Sequence, residues 1–376
     1  MQSKTIGILG GGQLGRMTAQ AAARLGFCTH IYTPESDAWA LQVATDFTVA
    51  EFEDAAALEA FARSVDVVTY EFENIPAVAV EMVVAITPVY PNAAALRITQ
   101  NRIREKSLCR ELNIPTAPWR EVFDLASARA ALSELGGAMI LKTAEMGYDG
   151  KGQWKILFGR DLEKIPVLHN RHPGEGRDPD FEPKNISGLG PGLRRGDGIE
   201  LIAEGIVQFD FEISVITARG QDGEVKCYPP VRNVHRDHIL YQTFAPAELS
   251  SELAKRAEKY AAQLAQKLDI VGLLAVEMFV VGNEIVVNEM APRPHNSGHW
   301  TIEGCMTSQF EQLVRAITDM PLGDVTPRGN FVMTNLIGDE ILRGEDMARE
   351  MGGTFHDYGK GDYRPGRKMG HITTKI

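Results

Sequence analysis

Residues 273–300 read LLAVEMFVVGNEIVVNEMAPRPHNSGHW. Two runs rich in β-branched and aromatic residues flank a Gly-Asn pair, the pattern of a β-hairpin. Glu277 lies in the first run, and Asn288 and Glu289 end the second. Carboxylates that face each other across adjacent strands form a site for a hard cation such as Mg²⁺. Such an ion would bridge nucleotide phosphates and neutralise developing charge. Register decides whether the pair meets, because directly opposed residues share a face. A three-residue loop at 282–284 pairs Glu277 with Glu289, whereas a two-residue turn at 282–283 pairs Glu277 with Asn288. The reading predicts the three-residue loop, which puts Glu277, Phe279 and Val281 on one face with Ile285, Val287 and Glu289. In the continuation, 291–300, prolines forbid regular structure and Arg293, His295, Asn296, Ser297 and His299 crowd together. Such a loop after a metal-binding strand reads as substrate recognition.

Upstream, residues 138–144 (AMILKTA) read as a strand, and MGYDGKGQW (146–154) as a glycine loop. A lysine at a strand end, Lys142, beside a mobile glycine loop outlines a phosphate clamp. The loop is not a Walker A sequence, but it suits closure over a triphosphate. A plain hairpin connection is the alternative.

At the N-terminus, KTIGIL (4–9) reads as a buried strand, GGGQLG (10–15) matches G-x-G-x-x-G, and a helix follows to about Gly26. Glycines there let the backbone approach a phosphate at the helix N-terminus. A dinucleotide site also wants an acid at the end of the second strand. Here CTHIYT ends in Thr33-Pro34, with Glu35 only after the turn, so the phosphate of a smaller ligand serves equally well. YEFENIP (70–76) follows a third strand, VDVVTY, at the carboxyl end where open sheets bind ligands. Its carboxylates and amide could accept bonds from an amine or sugar hydroxyls. A solvated acidic turn is the other reading, and the residues alone do not choose.

The 376 residues, 44% hydrophobic and 24% charged, allow two or three globular domains. The net charge of −11 argues against a nucleic-acid surface but leaves room for local anion sites. Cys28, Cys109, Cys227 and Cys305 are far apart and form no C-x-x-C pair, which implies reduced, mostly buried thiols and gives a zinc site nothing to recommend it. No apolar run is long enough to span a bilayer and no signal peptide is evident, so no membrane contact and a cytoplasmic location are expected. The βαβ pattern gives a Rossmann-like parallel-sheet domain at 1–100. A mixed α+β domain at 101–318 and a small C-terminal domain at 319–376 follow. Residues 166–197, rich in Pro and Gly, read as a flexible surface insertion. Its His169 and His172 read as solvated. The tail KGDYRPGRKMGH (360–371) reads as phosphate-binding, or as a solvated basic tail.

Together, GGGQLGRM, YEFENIP, QNRIREK with IPTAPW, GYDGKGQ, FDFEIS and VNEMAPRPHNSGH resemble the N5-carboxyaminoimidazole ribonucleotide synthetases, in the same order along nearly the whole chain. The resemblance implies an ATP-grasp fold, α/β and α+β, with ATP held between two α+β subdomains. It implies ATP and Mg²⁺ as cofactors, with one or two ions and Mn²⁺ able to substitute. Arg102 and Lys142 would meet the phosphates, and Gly147, Tyr148, Asp149, Gly150, Lys151, Gly152 and Gln153 would close over them. Glu204 and Val207 would hold the adenine, Glu212 the ribose, and His235 would lie near. Glu277 and Glu289 would be the metal ligands, with Asn288 beside them. Gly12, Gln13, Leu14, Glu73, Asn74, Tyr148, Asp149, Arg293, His295, Asn296 and Ser297 would bind the ribonucleotide, and Lys360 and Arg367 its 5′-phosphate. Lys142, Asp149, Arg293 and His295 would act in catalysis.

The implied reaction activates bicarbonate as carboxyphosphate and carboxylates 5-aminoimidazole ribonucleotide, a step of purine biosynthesis. A homodimer is expected, with the mutase that uses the product as a transient partner. Relatives lack the 166–197 insertion. A formate-dependent ribonucleotide transformylase of the same superfamily is the nearest alternative. An NAD-dependent oxidoreductase would leave the acidic pair and basic tail unexplained, and a non-catalytic nucleotide sensor would have no use for Lys142, Glu277 and Glu289.

Overall fold

Cα packing in the computed structural model, which describes residues 4–145, 152–168 and 200–376, groups the chain into two units: 1–99 with 209–376, and 100–208. The first unit begins with β1 (Thr5–Leu9), α1 (Gln13–Arg24), β2 (Cys28–Thr33), β3 (Asp46–Val49), α2 (Ala55–Arg63), β4 (Val67–Tyr70), α3 (Ala77–Val84) and α4 (Ala93–Thr99). The strands form a parallel sheet in the order β3-β2-β1-β4. Ile6, Ile8 and Leu9 are buried, as a strand covered on both faces requires. This is the expected Rossmann-like sheet. β3 escaped the sequence reading because DFTV is short and mostly exposed.

The second unit holds α5 (Arg102–Glu111), β5 (Trp119–Val122), α6 (Leu125–Glu134), β6 (Met139–Thr143), β7 (Gln153–Ile156) and β8 (Leu201–Gly205). Its strands form an antiparallel sheet ordered β5-β8-β6-β7. Asn101 caps α5, accepting from the N–H groups of Ile103 at 3.0 Å and Arg104 at 3.2 Å. The sequence reading began the insertion at 166, but Pro166–Leu168 form a 3₁₀ turn, and Leu168 packs into this unit's core. The remainder of 166–197 lies outside the described residues.

The chain then returns to the first unit through β9 (Phe211–Arg219), β10 (Val225–Cys227), β11 (Val231–Arg236), β12 (Ile239–Ala245), α7 (Ser251–Lys267), β13 (Gly272–Val281) and β14 (Glu284–Ala291). It ends with α8 (Thr301–Gly304), α9 (Gln309–Ile317), β15 (Phe331–Ile337), α10 (Gly344–Met351), β16 (Thr354–Asp357) and β17 (Lys368–Lys375). One nine-stranded sheet runs β14-β13-β9-β11-β12-β15-β17-β16, with β10 paired to β9. β15 bonds directly to β12 (Gln242 opposite Thr334), so the sheet continues across the domain limit expected at 318. Residues of β1 and α1 share a core with Ile216, Leu273, Phe310 and Leu313. Among the described residues no helix is long and apolar enough to cross a membrane, and all four cysteines are unpaired.

The β13–β14 hairpin corrects the sequence reading. Val281 pairs with Glu284, so the turn has two residues, Gly282 and Asn283, not three. Gly282 takes φ +56°, a conformation that suits glycine. Met278, Val280, Ile285 and Val287 therefore make the buried face. The register then shifts between Glu277 and Met278, and Glu277 still pairs with Glu289. Asn288 is the extra residue of a β-bulge, which re-aims the strand end. The carboxylates meet as expected, but through a bulge rather than a longer turn.

Candidate active site

Antiparallel register puts one polar stripe on a single face of the large sheet. Glu277 pairs with Ser214, Phe279 with Glu212, Asn233 with Glu212, and Thr243 with Asn233. Directly opposed residues share a face. Glu289, Glu277, Ser214, Glu212, Asn233 and Thr243 therefore line up across five strands. His235 follows Asn233 by two residues, beside a second bulge in β11–β12.

The loop after β14 settles on this stripe. His295 Nε2 lies 3.0 Å from Glu277 Oε1, and its Nδ1 lies 2.8 Å from Ser297 Oγ. Ser214 donates to Ser297 at 2.7 Å, Asn233 to Ser214 at 3.0 Å, and Thr243 to Asn233 at 3.1 Å. Gln309 braces the loop, accepting from the His295 N–H at 3.0 Å and donating to the His295 carbonyl at 2.8 Å. Asn296 exchanges two hydrogen bonds with Asn335. Ser297 is fully buried and Asn296 nearly so, and both spend their polar groups inside the protein. These bonds hold the loop in place. A Cβ at Gly298 would collide with Ile216 and stand 2.5 Å from Gln309 Oε1, so only glycine lets the loop sit this close.

Burial alone would raise the Glu277 pKa. The hydrogen bond and charge of His295, helped by His235 and Lys368, outweigh it and hold the carboxyl well below its ordinary range. Burial would lower the His235 pKa, but Glu212, with Oε2 2.5 Å from Nδ1, raises it. An ionised Glu277 opposite an exposed Glu289 is an oxygen donor pair of the kind Mg²⁺ takes.

Next to this stripe, Arg293 pairs with Glu73. Burial pushes the Glu73 pKa up, but the guanidinium overrides it and holds the carboxyl below its usual value. At the glycine motif the structure differs from the expectation. The N–H groups of Gly12 and Gly15 donate to the two oxygens of Glu71, the second at 2.7 Å. A Cβ on Gly12 would stand 2.5 Å from Glu71 Oε1, and one on Gly10 2.5 Å from Glu71 Cγ. The glycines make room for a carboxylate of the chain itself, where dinucleotide folds hold a phosphate. The Gly12 N–H is thus already used, while Gln13 and Leu14 remain half-buried in the first turn of α1. Asn74 is half-buried in the turn that carries Glu73.

The basic tail does not dangle. Lys360 Nζ lies 5.0 Å and the Arg367 guanidinium 4.8 Å from the centre of the Trp39 ring. Lys360 also donates to the Lys368 carbonyl at 2.8 Å. Arg16 donates to the Trp39 backbone carbonyl at 3.0 Å, so two cations lie over the indole and a third is bonded to the main chain of the same residue. Sequence reasoning missed Trp39 and Arg16. Arg16 stands beside the glycine motif, but nothing in the sequence linked it to a tail more than 300 residues away.

In the second unit, Lys142 Nζ donates to Glu204 Oε2 at 2.9 Å, and Lys106 Nζ lies 3.4 Å from Glu204 Oε1. Burial would raise the Glu204 pKa, but Lys106 and Lys142 outweigh it and lower it. Arg102 donates to the Thr143 carbonyl at 3.1 Å, next to Lys142. Arg102, Lys142 and Glu204 are thereby brought together, with Val207 in the segment after β8. Lys106 was overlooked, although its place four residues after Arg102 on α5 puts it on the same helix face. Lys142 pairs with Gln153 across β6–β7, and Gly152 takes φ +69° just before β7. Gly147, Tyr148, Asp149, Gly150 and Lys151 lie outside the described residues.

Comparison with known proteins shows the family. The ribonucleotide synthetase preATP-grasp domain matches residues 3–100, the ATP-grasp domain 107–310, and the phosphoribosylaminoimidazole carboxylase C-terminal domain 332–375. The chain is 42% identical to the N5-carboxyaminoimidazole ribonucleotide synthase of Brucella melitensis, over 98% of this chain and 95% of that one. It is 44% identical to the bifunctional purine synthesis protein purC/E of Dictyostelium discoideum over 98% of its own length, and spans 37% of that longer protein. The Aspergillus clavatus N5-carboxyaminoimidazole synthase, solved with ADP and 5-aminoimidazole ribonucleotide, superposes with a TM-score of 0.85 at 30% identity, over 100% of this chain and 94% of that one. The chain belongs to the N5-carboxyaminoimidazole ribonucleotide synthase family of ATP-grasp ligases.

Proposed function

We propose that the protein uses ATP and bicarbonate to carboxylate the amine of 5-aminoimidazole ribonucleotide, releasing ADP and phosphate. The observation that carries the ribonucleotide assignment is the gathering of Lys360, Arg367 and Arg16 around Trp39, in the unit that also holds the Glu73–Arg293 pair. Three cations suit a phosphomonoester, and the Glu73 carboxylate suits a hydroxyl or amine.

A bicarbonate oxygen attacks the γ-phosphorus, the bond to the β–γ bridging oxygen breaks, and ADP leaves. The amine then attacks the carbonyl carbon of carboxyphosphate, the C–O bond to phosphorus breaks, inorganic phosphate leaves, and the amine proton is lost. No side chain acts as nucleophile. The chain contributes position and charge. Lys142 and Arg102, near Thr143, present cations to the phosphates, and Glu204 holds Lys142 in place. Glu212 and His235 act as a bonded pair at the ribose. His295, fixed by Ser297, orients Glu277. Arg293, pinned by Glu73, faces the acceptor. Mg²⁺ on Glu277 and Glu289, with Mn²⁺ as a substitute, would neutralise charge on the β- and γ-phosphate oxygens. By the family resemblance, Tyr148, Asp149 and the rest of the glycine loop would exclude water from carboxyphosphate.

Formate-dependent transfer is disfavoured by the full-length relatives. A dinucleotide reading fails on Glu71, which takes the N–H groups that would hold a phosphate. A cytoplasmic homodimer that passes its product to a mutase is carried by the family resemblance. The test is ADP release with Mg-ATP and bicarbonate, with and without the ribonucleotide. Release that requires the ribonucleotide and ignores formate supports the assignment, whereas a formate-dependent rate reverses it.

A further inference from the structure

We propose that Glu303, His356 and His371 form a second metal site, for a borderline divalent ion such as Zn²⁺, separate from the Glu277–Glu289 pair. Among the described residues these three are the only group of three or more potential ligands brought together, with all three ligand atoms within 4.8 Å of one another. His356 and His371 face each other across the antiparallel β16–β17 pair. Glu303 reaches them from α8, with Oε1 2.7 Å from His356 Nε2. Spacing in the sequence gives no hint of the group, because three separate elements supply it.

Two further observations point to a ligand. Glu303 Oε2 and His371 Nε2 are buried and have no hydrogen-bond partner. Buried polar atoms are rarely left so, and each costs on the order of 1–3 kcal/mol. His371 is fully buried, and the Tyr358 hydroxyl sits 3.0 Å from its Nδ1. That contact fixes the ring and leaves Nε2 as its available atom, the arrangement in which an outer partner orients a metal-bound histidine. Glu303 and His356 are only 20% and 25% exposed, which leaves one side open for an ion and a water.

Two imidazole nitrogens and one carboxylate oxygen suit Zn²⁺ better than Mg²⁺, which prefers an all-oxygen shell. The two rings now stack, with centroids 4.5 Å apart and planes 9° apart. Coordination therefore turns the part-exposed His356 ring so that both Nε2 atoms converge on the ion. It also displaces the proton shared by His356 and Glu303. An ion here ties α8, just after the Arg293–His299 loop, to the two strands whose connection carries Lys360 and Arg367. It would stiffen the phosphate end of the site without touching the reacting atoms.

The test uses full-length protein, stripped with a chelator and titrated with ZnCl₂ in excess Mg²⁺ so that Glu277 and Glu289 stay covered. One zinc should bind with Kd below about 1 µM and raise the Tm. His356→Ala and Glu303→Gln should each weaken binding by at least about tenfold, whereas Glu277→Gln should retain it. Glu303→Gln keeps the side-chain shape, so it reads the ligand set even if His356→Ala fails to fold. No bound zinc in the wild type, or equal affinity in Glu303→Gln, overturns the proposal.

Discussion

Glu289 is exposed on β14, opposite Glu277. Glu289→Ala removes a charge without opening a cavity, so ADP release should be abolished while Tm and circular dichroism stay close to wild type. Wild-type turnover would remove Glu289 from the metal site. Glu71 has the opposite profile. It is buried, with two backbone donors on its carboxylate, and Glu71→Ala strands both. Urea titration should show a loss of about 1–3 kcal/mol. Glu277 adds a pH dependence. Its pKa is held down from 4.5 to about 2, against burial, by His295, His235 and Lys368. A carboxylate with a lowered folded pKa stabilises the fold above its unfolded pKa and loses that as pH falls through the folded one. The stability gap between wild type and Glu277→Gln should therefore be constant above about pH 5 and close toward about pH 2. Denaturant midpoints measured across that range check the sign.

At the scale of the element, the bulge at Asn288 sets the carboxylate pair. Deleting Asn288 leaves Met278 opposite Val287 and Glu277 opposite Glu289, because only the extra residue is lost. The hairpin should fold with near-wild-type Tm, and ADP release should fall as the strand end loses its bend. Undiminished release would show that pairing alone suffices. The sequence foretold a hairpin here and a meeting of Glu277 with Glu289, but it assigned the wrong turn. Alternation in VEMFVVGNEIVVNE fits either register, and a bulge has no signature of its own in such a run. The elements found by sequence were those with a clear apolar pattern, such as β1, β4 and β13. Short strands such as β3, β5 and β16 went unread because four largely exposed residues carry too little pattern.

At the scale of the molecule, the chain from Phe331 onward adds β15, β17 and β16 to the large sheet. Ending the chain after Thr326 would leave β12 as a bare edge and remove the partners of Phe244 and Ala245. The truncated protein should aggregate on expression, and soluble, monodisperse material would refute sheet continuity as a folding requirement. By itself the sequence determined the order of motifs, the parallel N-terminal sheet, the β13–β14 hairpin and the strand that carries Lys142, since these depend on neighbours in the chain and on period-2 or helical patterning. Only the tertiary structure decided that Glu71 fills the glycine motif, that Ser297 and Asn296 brace the loop after β14, that Lys106 shares Glu204 with Lys142, and that Lys360, Arg367 and Arg16 meet at Trp39. Each of those contacts joins residues distant in the chain, and burial and hydrogen-bond geometry, which a linear pattern does not encode, select them.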